Sequence, residues 1–230
     1  MVDKINNVVA TTQTAKNGTA SKTVLKPEQK MQIFEGMTVK DVQENGSEAQ
    51  KLLAEGFDKI SHANAKNGVY KGDGKYSAKE AEIFNNYTFA LDKNKKELRA
   101  YNKETGCQIT IKYNNLDELK NPDTARLIPT GENYKGGKIE FDLRNKTATF
   151  DGVSTETMLL PQRSQIEHYT IKNADVKTIN ARFLKEATVN IINTKNVGNF
   201  WDSPTTVKVA TQNNVKINPD SNSDIKLSKR

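Results

Sequence analysis

Apolar and polar positions change period along this chain, and the change divides it. From Ser47 the apolar residues Ala49, Leu52, Leu53, Phe57 and Ile60 fall on one helical stripe. Ser47 and Gln50 have the spacing of a capping box, in which each side chain satisfies the other residue's amide. This predicts a helix from 48 to about Ser61. Ser77 and Glu80 repeat the signal, and Ala81, Ile83, Phe84 and Tyr87 supply the apolar face of a second helix that frays at Asn85 and Asn86. Beyond residue 97 the period becomes two. Cys107, Ile109, Ile111 and Tyr113 alternate with polar residues, as do Ile139, Phe141 and Leu143; Asn145–Lys146 then predicts a tight turn into 147–150. Between these strands, Asn121–Pro122–Asp123 opens a short helix through Leu127, which Pro129 closes.

The last third carries a longer repeat. The pairs Tyr169/Ile171, Val189/Ile191, Val207/Val209 and Ile225/Leu227 recur at nearly equal intervals. A second series, Val176/Ile179, Val197/Phe200 and Val215/Ile217, follows at much the same spacing, with asparagines (Asn173, Asn193 or Asn196, Asn213 or Asn214) before its members. Ala148 and Phe150, one such interval ahead of Tyr169 and Ile171, mark an earlier turn. A period of this size looks like a short β-solenoid, in which equivalent apolar residues stack in one column and asparagine takes the left-handed corners. The competing arrangement is an antiparallel β meander.

Composition limits the core. Of 230 residues, 35% are hydrophobic and 7% aromatic, which disfavours a large helix-covered core. The net charge of +7 invites a nucleic-acid partner, but Met37–Tyr87 holds seven basic and eight acidic residues, and the other lysines are scattered. Nucleic-acid binding is therefore not expected. No apolar run is long enough to span a membrane. Residues 1–30, rich in Thr, Ser, Asn and Lys without an apolar block, read as a flexible leader. Cytoplasmic residence and export by a non-cleaved leader both fit it.

The segment Gly72–Asp73–Gly74–Lys75–Tyr76–Ser77, closed by Glu80, lies between the two helices. With it, Lys51–Asn86 resembles an EF-hand, the calcium-binding helix–loop–helix. The resemblance implies a hard cation, Ca2+, held by Asp73, the Lys75 backbone carbonyl, Ser77 and the Glu80 carboxylate, with Gly74 at the sharp turn. The first half of the loop departs from the pattern. Val69 and Lys71 stand where acidic or amide ligands belong, so binding would be weak unless Asn64 or Asn67 folds back to supply oxygen; Asp58 is a more remote carboxylate. No second copy of the loop is visible.

Other chemistry is sparse. Cys107, the single cysteine, opens an alternating strand and reads as a buried apolar side chain. His62 and His168 are far apart in sequence, with no neighbouring ligands for a transition metal. Asp202 and Asp220, separated by one repeat, are the acids that a solenoid would bring together. Trp201, at an expected corner, is either a stacking platform for a partner or cover for the core.

The expectation is an α+β chain: leader 1–30, EF-hand-like helical domain 31–90, mixed hairpin and linker region 91–160, and solenoid-like repeat 161–230. Its expected role is a non-enzymatic binding or structural module for a protein or glycan, with no catalytic residues, a weak calcium loop and self-association through an open repeat end. A polysaccharide-active β-solenoid enzyme and an exported bacterial effector or surface protein are the alternatives.

Overall fold

The computed structural model describes residues 31–59, 72–161, 165–197, 206–212 and 214–229. Within them the chain is α+β, with four α-helices and twelve strands. Helix α1 (Val39–Asn45) starts at a capping box of Thr38 and Asp41; α2 (Glu48–Asp58) and α3 (Ala78–Asn85) start at the boxes of Ser47 with Gln50 and Ser77 with Glu80. The apolar stripe of α2 faces inward, with Ala49, Leu53 and Phe57 fully buried. Phe57 stacks on Phe84 of α3 at 4.3 Å between ring centroids, and Phe84 meets Phe89 edge-on at 5.6 Å. Phe89 belongs to the first strand of the main sheet, so one aromatic run joins the helices to it.

That sheet begins with the meander β1 (Tyr87–Asp92), β2 (Glu97–Asn102) and β3 (Gln108–Lys112), paired antiparallel. A crossover through two 3-10 turns and the short α4 (Pro122–Ala125) returns β4 (Lys138–Asp142) parallel to β3. Asn121 caps α4 as expected, but Pro129 opens the next 3-10 turn (Pro129–Asn133) instead of ending the helix: its fixed φ suits a first helical position. β4 then turns at Lys146, which has φ +56°, into antiparallel β5 (Thr147–Asp151).

From β5 onward successive strands alternate between two stacks. β7 (His168–Lys172), β9 (Ala187–Ile192) and β11 (Val215–Pro219) extend the first sheet beyond β5, making eight strands; β6 (Ser154–Leu159), β8 (Asp175–Asn180), β10 (Val207–Thr211) and β12 (Ile225–Lys229) form the second. Every pairing within both stacks is parallel, so an antiparallel meander does not describe this part; among the named strands, antiparallel pairing is confined to β1–β2–β3 and β4–β5. Tyr169, Ile171, Val189 and Ile191 from one stack and Val176, Ile179, Val207 and Val209 from the other are buried in the same core.

The sequence columns are partly reassigned. Ala148 and Phe150 do lie beside Tyr169 and Ile171, which lie beside Val189 and Ile191. Val209 and Leu227 do not continue that column. Val209 pairs with Ile179 and Leu227 with Val209, in the second stack, whereas Ile217 takes the place beside Val189. Val197, expected in an inner column, is 69% exposed. The physical reason is one long interval. The chain travels farther from Val189 to its stack partner Ile217 than between any earlier pair in that column, so the shorter step from Val189 to Val207 crosses from one stack to the other. Asn173 and Asn193 occupy left-handed corners at φ +52° and +45°.

Candidate functional site

The loop ahead of α3 is built around backbone amides held by short acidic side chains. Gly74, at φ +81°, makes the turn. Its N–H donates to both carboxylate oxygens of Asp58, the last residue of α2, at 3.2 Å each. Asp58 is 4% exposed, and a Cβ on Gly72 would lie 1.6 Å from its Oδ2, so only glycine lets the carboxylate sit there. The Lys75 N–H donates to Asp73 Oδ1 at 2.9 Å. Glu80 is fully buried; its Oε2 accepts from the N–H and the hydroxyl of Ser77 at 2.8 Å each. Tyr76 sends its hydroxyl to the Ala54 carbonyl at 2.8 Å, and burial, with Asp58 and then Glu80 close by, raises its pKa.

A second segment pairs with this loop. Gly36 N–H donates to the Tyr76 carbonyl at 2.8 Å, Tyr76 N–H to the Met37 carbonyl at 2.9 Å, and Val39 N–H to the Gly74 carbonyl at 3.0 Å. Thr38 and Lys75 thus form an antiparallel bridge that brings the starts of α1 and α3 together. Upstream, Gln50 clamps both backbone groups of Met31, and Asn85 those of Ile33. The signal that could have revealed this neighbour is Gly36–Met37–Thr38 with Asp41, the same capping spelling as Gly74 to Glu80 shifted by one position.

Against a hard cation, the donor set fits in kind and falls short in number. Asp58, Asp73, Ser77, Glu80 and the Lys75 carbonyl offer oxygen only, as calcium prefers, but six to eight donors are needed. Among the described residues no three Asp, Glu, His or Cys side chains converge as a metal group. Asn64 and Asn67 lie outside the described residues, as do Val69, Lys71 and His62.

The other candidates separate. Cys107 is buried, and burial pushes its thiol up to about 11, so it is a poor nucleophile at neutral pH. His168 begins β7 and is exposed, whereas Cys107 faces the core. Trp201 and Asp202 lie outside the described residues. Asp220 is a corner residue: it accepts from the Ser223 hydroxyl at 2.6 Å and the Asn193 N–H at 3.0 Å. Asn193 donates to the Asn173 side chain and Asn173 to Asp151, each at 3.0 Å, giving a ladder Asp151–Asn173–Asn193–Asp220 along one edge of the stacks. Neighbouring turns are also bridged by Lys146–Glu167, Lys172–Asp151 and Lys177–Glu156 at 2.5, 3.2 and 3.1 Å. Lys93 pairs with Glu48, Lys95 with Asp92 and Arg99 with Glu97, while Lys96 donates to the Asn114 carbonyl. A groove of about 910 Å³ runs past Pro161, Tyr169, Leu184 and Phe183, and Phe183 is a 58% exposed ring that no sequence signal singled out.

No family model, curated protein or solved structure matches this chain. No helix among the described residues is long and apolar enough to cross a membrane.

Proposed function

We propose that the chain is a non-enzymatic interaction scaffold: a short two-sided β-solenoid carried on an EF-hand-like helical unit whose loop is stiffened by weakly bound calcium. The observation that supports it best is the use made of the acids in the stacked region. Asp151, Glu156, Glu167, Asp175, Asp220 and Asp224 each bond a neighbouring turn or corner, which suits structural staples better than a free acid–base pair. Calcium belongs to the reading through the all-oxygen surroundings of Gly74, with Asp58 supplying the carboxylate that the degenerate first half of the loop lacks. A bound cation would add to the bonds that already tie the end of α2 to the turn before α3.

Calorimetric titration of the full chain with calcium, beside Glu80→Gln, tests the loop. Weak binding with a raised melting temperature, lost in the variant, supports it; identical behaviour of the two proteins with and without calcium overturns it. Polysaccharide cleavage that Asp220→Asn abolishes in a folded protein would overturn the non-enzymatic reading.

A further inference from the structure

Some lysines of the stacked region are bridged to a neighbouring turn and others are not. Lys146, Lys172 and Lys177, in the early turns, each meet an acid one turn away. Lys208 of β10, Lys216 of β11 and Lys226 of β12 have no ion pair among the described residues. Among the described strands these three lie on the most C-terminal turns, and β12 is an edge strand there, paired with β10 on one side only. Lys208 and Lys226 are register partners on one face, so like charges lie side by side at about the strand spacing of 4.8 Å. On the other face Leu227, the last member of the column Met158–Ile179–Val209–Leu227, is 47% exposed, and Ile225 beside it is half-buried.

We propose that the free edge of β12 is a docking site for an extended acidic segment, which adds to the second stack as a further strand. Main-chain hydrogen bonds to the edge supply affinity, and alternate side chains supply choice. Apolar residues at every second position cover Ile225 and Leu227, and acids between them meet Lys226. This continues the lysine-to-acid bridging already present between earlier turns. A two-fold pairing of β12 edges centred on Lys226 would set it beside its own equivalent, whereas one centred on Ile225 would set it beside Asp224, so a dimer is kept as an outcome of the test. β11 is the poorer edge, since Pro219 at its end has no N–H to offer. The proposal goes beyond the calcium loop and does not depend on it.

The test is fluorescence anisotropy on the full chain with a labelled peptide of about ten residues alternating Val and Glu. Its counterparts alternate Val and Lys, or carry N-methyl groups on alternate residues of the acidic sequence. The acidic peptide is expected to bind in a salt-sensitive way, both counterparts to lose at least roughly tenfold, and Lys226→Glu to reverse the charge preference. Hydrogen exchange should show β12 amides gaining protection on binding. Equal binding of the acidic and basic peptides, no binding, protection elsewhere than β12, or a concentration-dependent dimer of the chain alone through β12 would each overturn it. Lys226 is exposed, so the variant keeps the fold, which its melting curve verifies.

Discussion

Asp58 and Gly74 lie on opposite sides of the interhelical loop, yet the carboxylate of one holds the amide of the other at 3.2 Å through both oxygens. This contact ties the end of α2 to the turn before α3. The bridge from Thr38 to Lys75 adds a second tie at the same turn.

Substitution of Gly72 tests that tie. Gly72→Ala would drive a methyl into Asp58 Oδ2, 1.6 Å away, and expel the carboxylate. The expected loss is about 1.5–3 kcal/mol, the range for hydrogen bonds to a charged group. Asp58→Ala should cost a similar amount, and the double variant little more than either alone, because both break one interaction. Denaturant titrations of the three proteins measure this directly.

The asparagine ladder predicts an ordering at position 173. Asn173→Ala puts a Cβ residue without polar help at φ +52° and removes the bonds to Asp151 and Asn193. A loss of about 2 kcal/mol follows from the left-handed backbone and the lost bonds together. Asn173→Gly keeps the backbone at ease and should lose about half as much. Melting curves that rank Ala above Gly would contradict the corner assignment.

Acid should loosen the stacked region first. The Asn173 amide, against an opposing effect of burial and with help from Lys172, holds the Asp151 carboxyl below its usual value; Ser223 chiefly does the same for Asp220. Both groups bind a proton more weakly folded than unfolded. Their stabilisation is therefore present above the ordinary aspartate pKa and lost as pH falls through the depressed folded values. Hydrogen exchange at mildly and strongly acidic pH should show protection falling around Asn173 and Asn193 before it falls around Cys107.

Phe57 joins helices and sheet through its stack on Phe84, which in turn meets Phe89. Phe57→Ala should cost about 3–5 kcal/mol, as for other buried phenylalanines. Because the aromatic run crosses into β1, helical and sheet signals should melt together in the wild-type chain. Separate transitions by far-ultraviolet and aromatic circular dichroism would disprove that coupling.

What the sequence revealed depended on how local each signal was. Ser47 with Gln50 and Ser77 with Glu80 announce their helices because a cap joins near neighbours in the chain. Helix α1 escaped notice because it spans only two turns and buries Val42 alone, and the β1–β2 hairpin because Ala90 and Ala100 give weak alternation. The stack columns were legible wherever the interval stayed nearly constant, as from Phe150 to Ile171 to Ile191. They were lost at the long connection before β10, where a spacing in sequence no longer maps onto a position in space. Asp58 was legible only as a remote carboxylate for the same reason: its contact with Gly74 spans a whole loop, and no local pattern encodes it.

The parallel pairing of β3 with β4 has a consequence for how the stacked strands could be cut apart. Stacked turns ordinarily need a stopper at each extremity, or they polymerise. Here the preceding hairpins are welded into the eight-stranded sheet and cover the upstream side of β5–β7–β9–β11, sharing its hydrogen-bond ladder, while β6 ends the other stack. A fragment cut just before β7 would lose that cover and bare the β7 edge, which is expected to raise its tendency to pair with further copies.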